Sequence, residues 1–291
     1  MTDPAQSTAS SRTGNEGRTA PPEVLAPHLI RRWFRLAHTT TFYGIISVGI
    51  LLLVWSGATE WSNLISTKFL PSPVGLFNEF LDISRSGYAG TSLVDDILAS
   101  FLRTVAGFVL SAVVAIPVGI AMGMSIAVRG LLAPIFNSLR PVPSIGLIPL
   151  MVLWFGIGEA SKVAVIFLAS FLFVVLNTAE GVRSVPEGLI RAGLNLGANR
   201  LQLFWRVILP ASLPAIFTGL KTGLAVSWAV VVAAELLGAQ EGLGFMIEDA
   251  ATFYRIKVVY IGLVLIGMIG LLMMIVVSGL ERRIVHWVGK S

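Results

Sequence analysis

The chain contains no cysteine among its 291 residues, and only 13% of its residues are charged. The absence of cysteine excludes disulfides, thiolate nucleophiles and zinc–thiolate sites. The low charge content excludes an ordinary soluble domain, in which about 25% of the residues are charged. The three histidines, His28, His38 and His286, lie far apart in the sequence. Their spacing supports neither a metal cluster nor a Ser/His/Asp triad.

A nucleotide-binding P-loop is also missing. The only Gly-Lys-Ser, at Gly289-Lys290-Ser291, has Ile284 where the motif requires its first glycine. The sequence therefore predicts that the chain is not an enzyme, binds no ATP of its own and carries no cofactor.

Long apolar runs dominate what is present, since 55% of the residues are hydrophobic and the mean hydropathy is +0.83. Six runs are long enough to cross the hydrocarbon core of a bilayer, which is about 30 Å thick. They lie at about 42–58, 98–124, 131–155, 161–180, 212–237 and 258–279. Backbone groups in lipid must be paired within the segment, so each run is expected to be helical. The predicted fold class is an all-α membrane protein with about six transmembrane helices.

The N-terminal 40 residues are rich in Ser, Thr, Pro and Gly, and we predict a disordered cytoplasmic tail over 1–40. The first apolar run, 41–58, is predicted to be a transmembrane anchor. A cleaved signal peptide is the alternative, because Ser56-Gly57-Ala58 resembles a cleavage site. The long polar stretch before this run, and a length beyond the usual 7–15 or so apolar residues of a signal, favour the anchor.

The distribution of Lys and Arg predicts the orientation. With the N-terminus inside, 13 of the 21 basic residues fall in inner segments and five in outer segments. Because positive charge is concentrated on the cytoplasmic side, both termini are predicted to be cytoplasmic. Residues 59–96 then form a periplasmic connection, 97–281 a transmembrane core, and 282–291 a cytoplasmic tail.

Several residues inside the runs are candidates for a pathway or gate. A charge at a helix centre costs about 2.5–3.5 kcal/mol on insertion scales, which makes Arg103, Arg140 and Glu235 functional candidates, together with Pro143 in the proline-rich third run. Arg140 could face the pathway and attract an anion, or it could be a structural charge paired with a neighbouring helix. Glu235 lies near the outer end of its run, where an interfacial position costs little. The prolines could mark a pathway lining or ordinary kinked packing.

The segment 185–210 is a polar-to-amphipathic insertion between two apolar runs on the predicted inner side. It predicts a short helix near the membrane surface, divided by a turn around Gly197. A merely amphipathic surface helix is the alternative to a functional loop.

This segment resembles the cytoplasmic loop of the inner-membrane permeases of ABC importers. That loop reads Glu-Ala-Ala, three residues, Gly, nine residues, and Ile-x-Leu-Pro. Arg191-Ala192-Gly193, Gly197 and Val207-Ile208-Leu209-Pro210 stand at these spacings. Three residues depart from the signature, and Arg191 reverses the charge of the family's Glu. The resemblance extends over about residues 95–285 and is strongest to the nitrate, sulfonate and taurine branch.

The resemblance implies a type I importer permease fold with a cytoplasmic coupling helix. It implies that Arg191, Ala192, Gly193, Gly197, Val207, Leu209 and Pro210 couple the chain to an ATPase. It further implies a homodimer in the bacterial inner membrane, two cytoplasmic ATPases that bind ATP and Mg, and a binding protein that delivers a small, anionic solute. An ion-driven carrier and a non-transporting scaffold are the alternatives. A carrier would be expected to place more ionisable residues at mid-membrane.

Overall fold

The computed structural model describes residues 42–44, 46–61, 69–236 and 238–287. The chain divides into two units, Met1–Gly57 and Ala58–Ser291. The described part of the first unit belongs to helix α1, Phe42–Thr59, whose large apolar side chains are mostly exposed. A π-helical turn covers Gly57–Trp61. The predicted tail 1–40 and residues 288–291 lie outside the described residues.

The described part of the second unit contains ten α-helices. They are α2 Pro73–Ser86, α3 Leu93–Met124, α4 Ile126–Leu139, α5 Ile148–Phe155, α6 Glu159–Arg183, α7 Glu187–Asn195, α8 Arg200–Leu203, α9 Leu209–Glu235, α10 Leu243–Thr252 and α11 Ile256–Ile284. A 3-10 turn, Ser144–Leu147, precedes α5, and a π-helical turn, Phe204–Ile208, joins α8 to α9. The only β-type pairing among the described residues is an isolated bridge between Tyr88 and Thr91.

Five helical segments are long and apolar enough to cross a membrane, and a bent pair makes a sixth if it counts as one span. This confirms the predicted all-α fold with about six transmembrane helices. The bent pair joins α4 to the segment Ser144–Phe155 at 93° and corresponds to the apolar run 131–155. The bend falls at Pro141 and Pro143, because proline lacks the backbone donor and disfavours helix at the residue before it. Pro117 and Pro134, by contrast, lie inside unbroken helices.

Helix α6 lies at the centre of the second unit, between α3 and α9. Glycines bring the backbones close. A Cβ at Gly119 of α3 would lie 2.7 Å from the carbonyl oxygen of Val175, and one at Gly219 of α9 would lie 2.8 Å from Cβ of Asn177. Small residues four apart thus allow close helix packing, as Gly119 and Gly123 do here.

The close approaches also fix the helix directions. Gly107 faces Ile166 and Gly123 faces Val182, so α3 and α6 run parallel. Gly181 of α6 faces Ala215, and Gly223 faces Val174, so α9 runs antiparallel to α6. The N-terminal ends of α3 and α6 and the C-terminal end of α9 therefore share one end of the unit. The segment 185–210 lies at the other end.

The structure differs from the sequence prediction at α2 and at the start of α3. The predicted connection 59–96 contains α2, a 14-residue helix that is too short to span a bilayer. Its N-cap is Ser72, whose Oγ accepts a hydrogen bond from the Gly75 N–H at 3.1 Å. Helix α3 begins at Leu93, before the apolar run at 98, because its first turn contains Asp95 and Asp96. Acidic residues favour helix N-termini but do not show as an apolar run.

Candidate functional site

The first candidate site is an ion-pair cluster at the shared end of α3, α6 and α9. Nη1 of Arg103 lies 2.9 Å from Oε1 of Glu235, and the same guanidinium also pairs with Glu159 of α6. Nη1 donates in addition to the carbonyl oxygen of Glu241 at 2.8 Å. The Arg103 side chain is 4% exposed and that of Glu235 is 0% exposed. Buried charges are tolerated when they are paired and hydrogen-bonded, and this pair meets both conditions.

The N-terminus of α10 completes the cluster. Three successive N–H groups donate to side chains of other helices: Gly242 to Asp96 Oδ1 at 2.8 Å, Leu243 to Ser100 Oγ at 2.9 Å, and Gly244 to Glu235 Oε2 at 2.8 Å. The first N–H groups of a helix lack intrahelical partners, and its dipole favours negative charge there. The buried carboxylates and hydroxyl therefore anchor α10 to α3 and α9.

Two glycines make this approach possible. A Cβ at Gly242 would lie 2.6 Å from Cδ of Glu235, and one at Gly244 would lie 2.7 Å from the carbonyl oxygen of Val232. Gly242 also adopts a φ of 120°, a conformation that other residues rarely adopt. The Gly-Leu-Gly sequence of residues 242–244 is therefore the local pattern that could have indicated this close helix contact, and the sequence prediction did not use it.

Glu235 is the last residue of α9, and its carboxylate is enclosed by Arg103, Ser100 and the start of α10. Its expected interfacial position stays a prediction. Neither Arg103 nor Glu235 lines either of the two cavities along α6 that form the second candidate site. The cluster is well suited to hold four helices together. A gating role for these two residues stays a prediction.

The second candidate site comprises two successive cavities along α6. The larger cavity, of about 530 Å³, is mainly apolar and lies between the bend after α4, α6 and α9. The smaller cavity, of about 290 Å³, lies between α4 and the C-terminal part of α6. Arg140, Leu176 and Asn177 line both. Pro143 lines the larger cavity, so the structure brings Arg140 and Pro143 together but separates them from the ion-pair cluster.

Arg140 is exposed and forms no ion pair with any residue that the structure describes. The alternative of a structural charge paired with a neighbouring helix thus finds no partner within that part of the chain. The side chain stands at the bend between α4 and the 3-10 turn, where Pro141 and Pro143 interrupt the backbone. The pathway role of Arg140 and Pro143 stays a prediction.

The third candidate site is the segment 185–210, which folds into α7, a turn and α8. Helix α7 exposes large apolar side chains, among them Leu189 and Leu194, and Leu196 follows at 88% exposure. Arg191 and Ala192 are exposed as well, and Arg191 pairs with Glu187 one turn earlier at 2.7 Å. Exposed apolar side chains on a short surface helix are typical of a surface that contacts a partner.

Gly197 and Gly193 shape the turn in different ways. Gly197 has a φ of 79° and follows the end of α7, as a C-terminal glycine commonly does. A Cβ there would meet nothing within 4 Å, so its backbone conformation, not its lack of bulk, requires glycine. A Cβ at Gly193 would lie 2.8 Å from Cδ1 of Leu203, the flexible end of a side chain. Gly193 therefore sets how closely α7 packs on α8.

Val207, Leu209 and Pro210 lie where the segment enters α9. Residues Arg200–Glu235 form one continuous helical segment, so α8 and α9 are mechanically joined. The π-helical turn Phe204–Ile208 lies just before Pro210, and the Leu209 N–H donates to the carbonyl of Phe204. A wider turn can accommodate a proline that would otherwise clash with the preceding turn of helix.

A further polar cluster, around Tyr88, was not anticipated from the sequence. The Tyr88 hydroxyl donates to Asp249 Oδ2 at 2.9 Å, and the Arg255 guanidinium lies 5.1 Å from the ring centroid. Burial, together with the hydrogen bond to Asp249, raises the pKa of Tyr88 to about 12. The cluster ties the loop before α3 to α10 and to the start of α11. Residues of this kind, far apart in the chain, carry no local signal.

Among the described residues there is no group of His, Cys, Asp and Glu side chains that could hold a metal ion.

Three features together define a membrane-embedded transport subunit. Helices long enough to span a membrane pack around a glycine-lined centre, cavities lie beside a broken helix, and an exposed loop continues into a membrane helix. The chain belongs to the family of binding-protein-dependent transport system inner membrane components, whose family model matches residues 115–287. This confirms the resemblance drawn from the loop.

Three relatives cover most of the chain. It is 42% identical over 260 residues to the taurine transport system permease protein TauC of Escherichia coli, covering 89% of this chain and 94% of the relative. It is 33% identical to the putative aliphatic sulfonates transport permease protein SsuC of Bacillus subtilis, covering 84% and 87%. It is 34% identical to the nitrate import permease protein NrtB of Synechocystis, covering 82% and 88%.

The fold matches a solved structure of the MetNI methionine ABC transporter in an inward-facing conformation. The TM-score is 0.59 at 21% identity, with 66% of this chain and 95% of the matched chain covered. The match confirms the predicted type I importer permease fold.

Proposed function

We propose that the chain is the permease subunit of an ATP-driven importer for a small solute that carries an oxyanion group, of the sulfonate, taurine or nitrate type. The observation that carries the proposal is the exposed α7–α8 segment, which is continuous with α9 and therefore able to pass a push from a partner into the membrane helices. The names of the relatives support the substrate class.

The ATPase partner follows from what the chain lacks and what it exposes. The sequence has no P-loop, so ATP and Mg would be bound by separate cytoplasmic subunits. The apolar face of α7 offers the docking surface, and Arg191, Ala192 and Gly193 lie on this helix. Two permease copies, two ATPases and an extracytoplasmic binding protein would complete the assembly. Both termini and the segment 185–210 would then lie in the cytoplasm.

The pathway would run through the two cavities along α6. Arg140 lies between them and supplies a positive charge without a described counterion. An arginine in this position favours an oxyanion, since its planar guanidinium can bind two oxygens at once. The mainly apolar lining of the larger cavity would bind the solute weakly, so that the solute can leave it again.

Uptake by reconstituted vesicles tests the proposal against both alternatives. The permease is purified with its cognate ATPase and binding protein, and uptake of labelled taurine is measured with ethanesulfonate and nitrate as competitors. We expect uptake to require both ATP and the binding protein. We also expect the competition experiment to show which of the anions the transporter prefers. Uptake driven by a proton or sodium gradient without ATP would indicate a secondary carrier. No uptake under any condition, with ATPase binding retained, would indicate a scaffold.

A further inference from the structure

The smaller cavity is lined by more basic than acidic side chains. Arg129, Arg140 and Arg183 all line it, and Glu180 is the only acidic side chain among the described residues of its lining. Glu180 pairs with Arg183 at 3.1 Å. Neither Arg129 nor Arg140 has an ion-pair partner among the residues that the structure describes. Two positive charges in one cavity are therefore uncompensated by the described part of the chain.

The position of this cavity links the larger cavity to the segment 185–210. Along α6 the larger cavity extends from Ala169 to Asn177 and the smaller one from Leu176 to Arg183. Arg183 is the last residue of α6. At 1.5 Å rise per residue, Asn177 and Arg183 lie about 9 Å apart along the helix. A solute that leaves the larger cavity past Arg140 therefore enters the basic cavity before it reaches the end of the unit that carries α7.

We propose that Arg129, Arg140 and Arg183 form a second anion-binding site, which holds the transported oxyanion after it leaves the larger cavity. The inference rests on the proposed import of an anion for the identity of the occupant. Arg183 is exposed and Arg129 is half-buried, so the site is partly hydrated. Partial hydration weakens each charge interaction, which allows the anion to be attracted and still released.

The absence of cysteine from the chain makes a direct test possible. Ala133→Cys would place the only thiol of the permease in the lining of the smaller cavity. Its reaction rates are measured with the anionic 2-sulfonatoethyl methanethiosulfonate and with the cationic trimethylammonium analogue. The sample is the complex with its ATPase in neutral phosphatidylcholine nanodiscs, and the modified permease is quantified by mass spectrometry.

We expect the anionic reagent to be favoured at position 133, and the preference to fall by about tenfold or more in Arg129→Gln/Arg183→Gln, as focused charge alters local ion concentration. Arg282→Gln/Arg283→Gln removes an equal charge from exposed positions outside the cavity and should leave the preference unchanged. Ala229→Cys, in the larger cavity, should respond little to the double substitution. Asn137→Cys, a second lining position, repeats the measurement if the thiol at position 133 is slow to react.

Protection of the thiol at position 133 from modification identifies the molecule that occupies the smaller cavity. Ethanesulfonate should slow modification at position 133 in neutral lipid, and the double arginine variant should lose this protection. Protection by phosphatidylglycerol but not by ethanesulfonate would assign the cavity to a lipid headgroup and overturn the proposal. The proposal would also be overturned if the reagent preference were unchanged when Arg129 and Arg183 are replaced, or if the thiols at positions 133 and 137 did not react. These results do not depend on uptake, so failure here leaves the proposed function to its own test.

Discussion

At the scale of single residues, Arg103 is the side chain that most interactions of the ion-pair cluster share. It contacts Glu235 of α9, Glu159 of α6 and the carbonyl of Glu241 before α10. Removing one partner of a buried ion pair leaves the other charge uncompensated, which costs more than the pair contributes when intact. Glu235 would keep only Ser100 and the Gly244 N–H as donors within the described residues.

Arg103→Met should therefore lower the free energy of unfolding by about 3–5 kcal/mol, measured by denaturation of the purified protein in detergent. Arg85→Met removes an exposed arginine at the end of α2 and should change stability by less than about 0.5 kcal/mol. The double variant Arg103→Met/Glu235→Gln should lose less than the sum of its single variants, because the two side chains interact directly. Additive losses would show that the pair is not energetically coupled.

The Tyr88 phenol should titrate above the ordinary pKa of tyrosine, near 12, because of its burial and the hydrogen bond to Asp249. A pKa raised by folding stabilises the protein below the unfolded pKa of about 10, and this contribution is lost as the pH rises through 12. Absorbance titration of the wild type and Tyr88→Phe should differ by one high-pH transition among the four tyrosines. If the difference spectrum shows a transition near pH 10, the buried contact with Asp249 does not persist in solution.

At the scale of helices, the packing of α3 on α6 depends on the absence of a side chain. Gly119→Ala would place a methyl group 2.6 Å from Cβ of Thr178 and 2.7 Å from a backbone oxygen, neither of which can move easily. We expect a loss of about 1–3 kcal/mol in unfolding free energy from overpacking. Gly279→Ala in α11 would meet nothing within 4 Å and serves as the matched control. Equal stability of both variants would mean that the two helices pack less closely than described.

The coupling role of α7 is best tested at Ala192, which is exposed, so a larger side chain has room within this chain. Gly197→Trp is less informative, because its φ of 79° strains any other residue with or without a partner. Ala192→Trp should weaken ATPase docking by overpacking of about 1–3 kcal/mol, which is roughly 5- to 150-fold in affinity. Copurification and ATP-driven uptake report the loss. Ala251→Trp, exposed on α10, should retain both, and wild-type coupling in Ala192→Trp would exclude α7 from the docking surface.

Arg191→Glu adds a test of charge in the same helix. Within the chain it would replace an exposed ion pair with Glu187 by two like charges one turn apart, a change of only about 0.5 kcal/mol. A larger loss of ATPase coupling would therefore report a carboxylate on the partner facing Arg191. If docking depends on shape alone, the substitution should be nearly silent.

How far the sequence predicted these elements depended on the range of the interaction. The six apolar runs, the surface helix and the turn at Gly197 are local features, and all were visible as composition or spacing. The bend at Pro141 and Pro143 was anticipated as a kink, but its angle depends on packing against α6 and α9. Helix α2 was missed, since a short helix that caps the bundle has no transmembrane signature. Arg103 and Glu235 were singled out separately, and only the fold shows that they bind each other.

At the scale of the whole molecule, the two ends of the second unit are chemically different. Parallel α3 and α6 and antiparallel α9 place the ion-pair cluster at one end and the segment 185–210 at the other. The 22 residues of α3 from Arg103 to Met124 cover about 30 Å, the thickness of the hydrocarbon core. The two ends of the unit are therefore far enough apart to reach opposite surfaces of a bilayer, and the excess of Lys and Arg predicts that the end with α7 lies in the cytoplasm.

This orientation predicts which inserted cysteines an impermeant thiol reagent can reach. Ser86→Cys and Ala251→Cys, both exposed near the cluster end, should be labelled in intact cells, whereas Ala192→Cys should be labelled only after the cells are opened. Inverted membrane vesicles should give the reverse pattern, with labelling at 192 and protection at 86 and 251. The native chain has no cysteine, so unmodified protein is the background control. Labelling of Ala192→Cys in intact cells would place α7 outside, where no cytoplasmic ATPase could dock, and would refute both the orientation and the coupling role that depends on it.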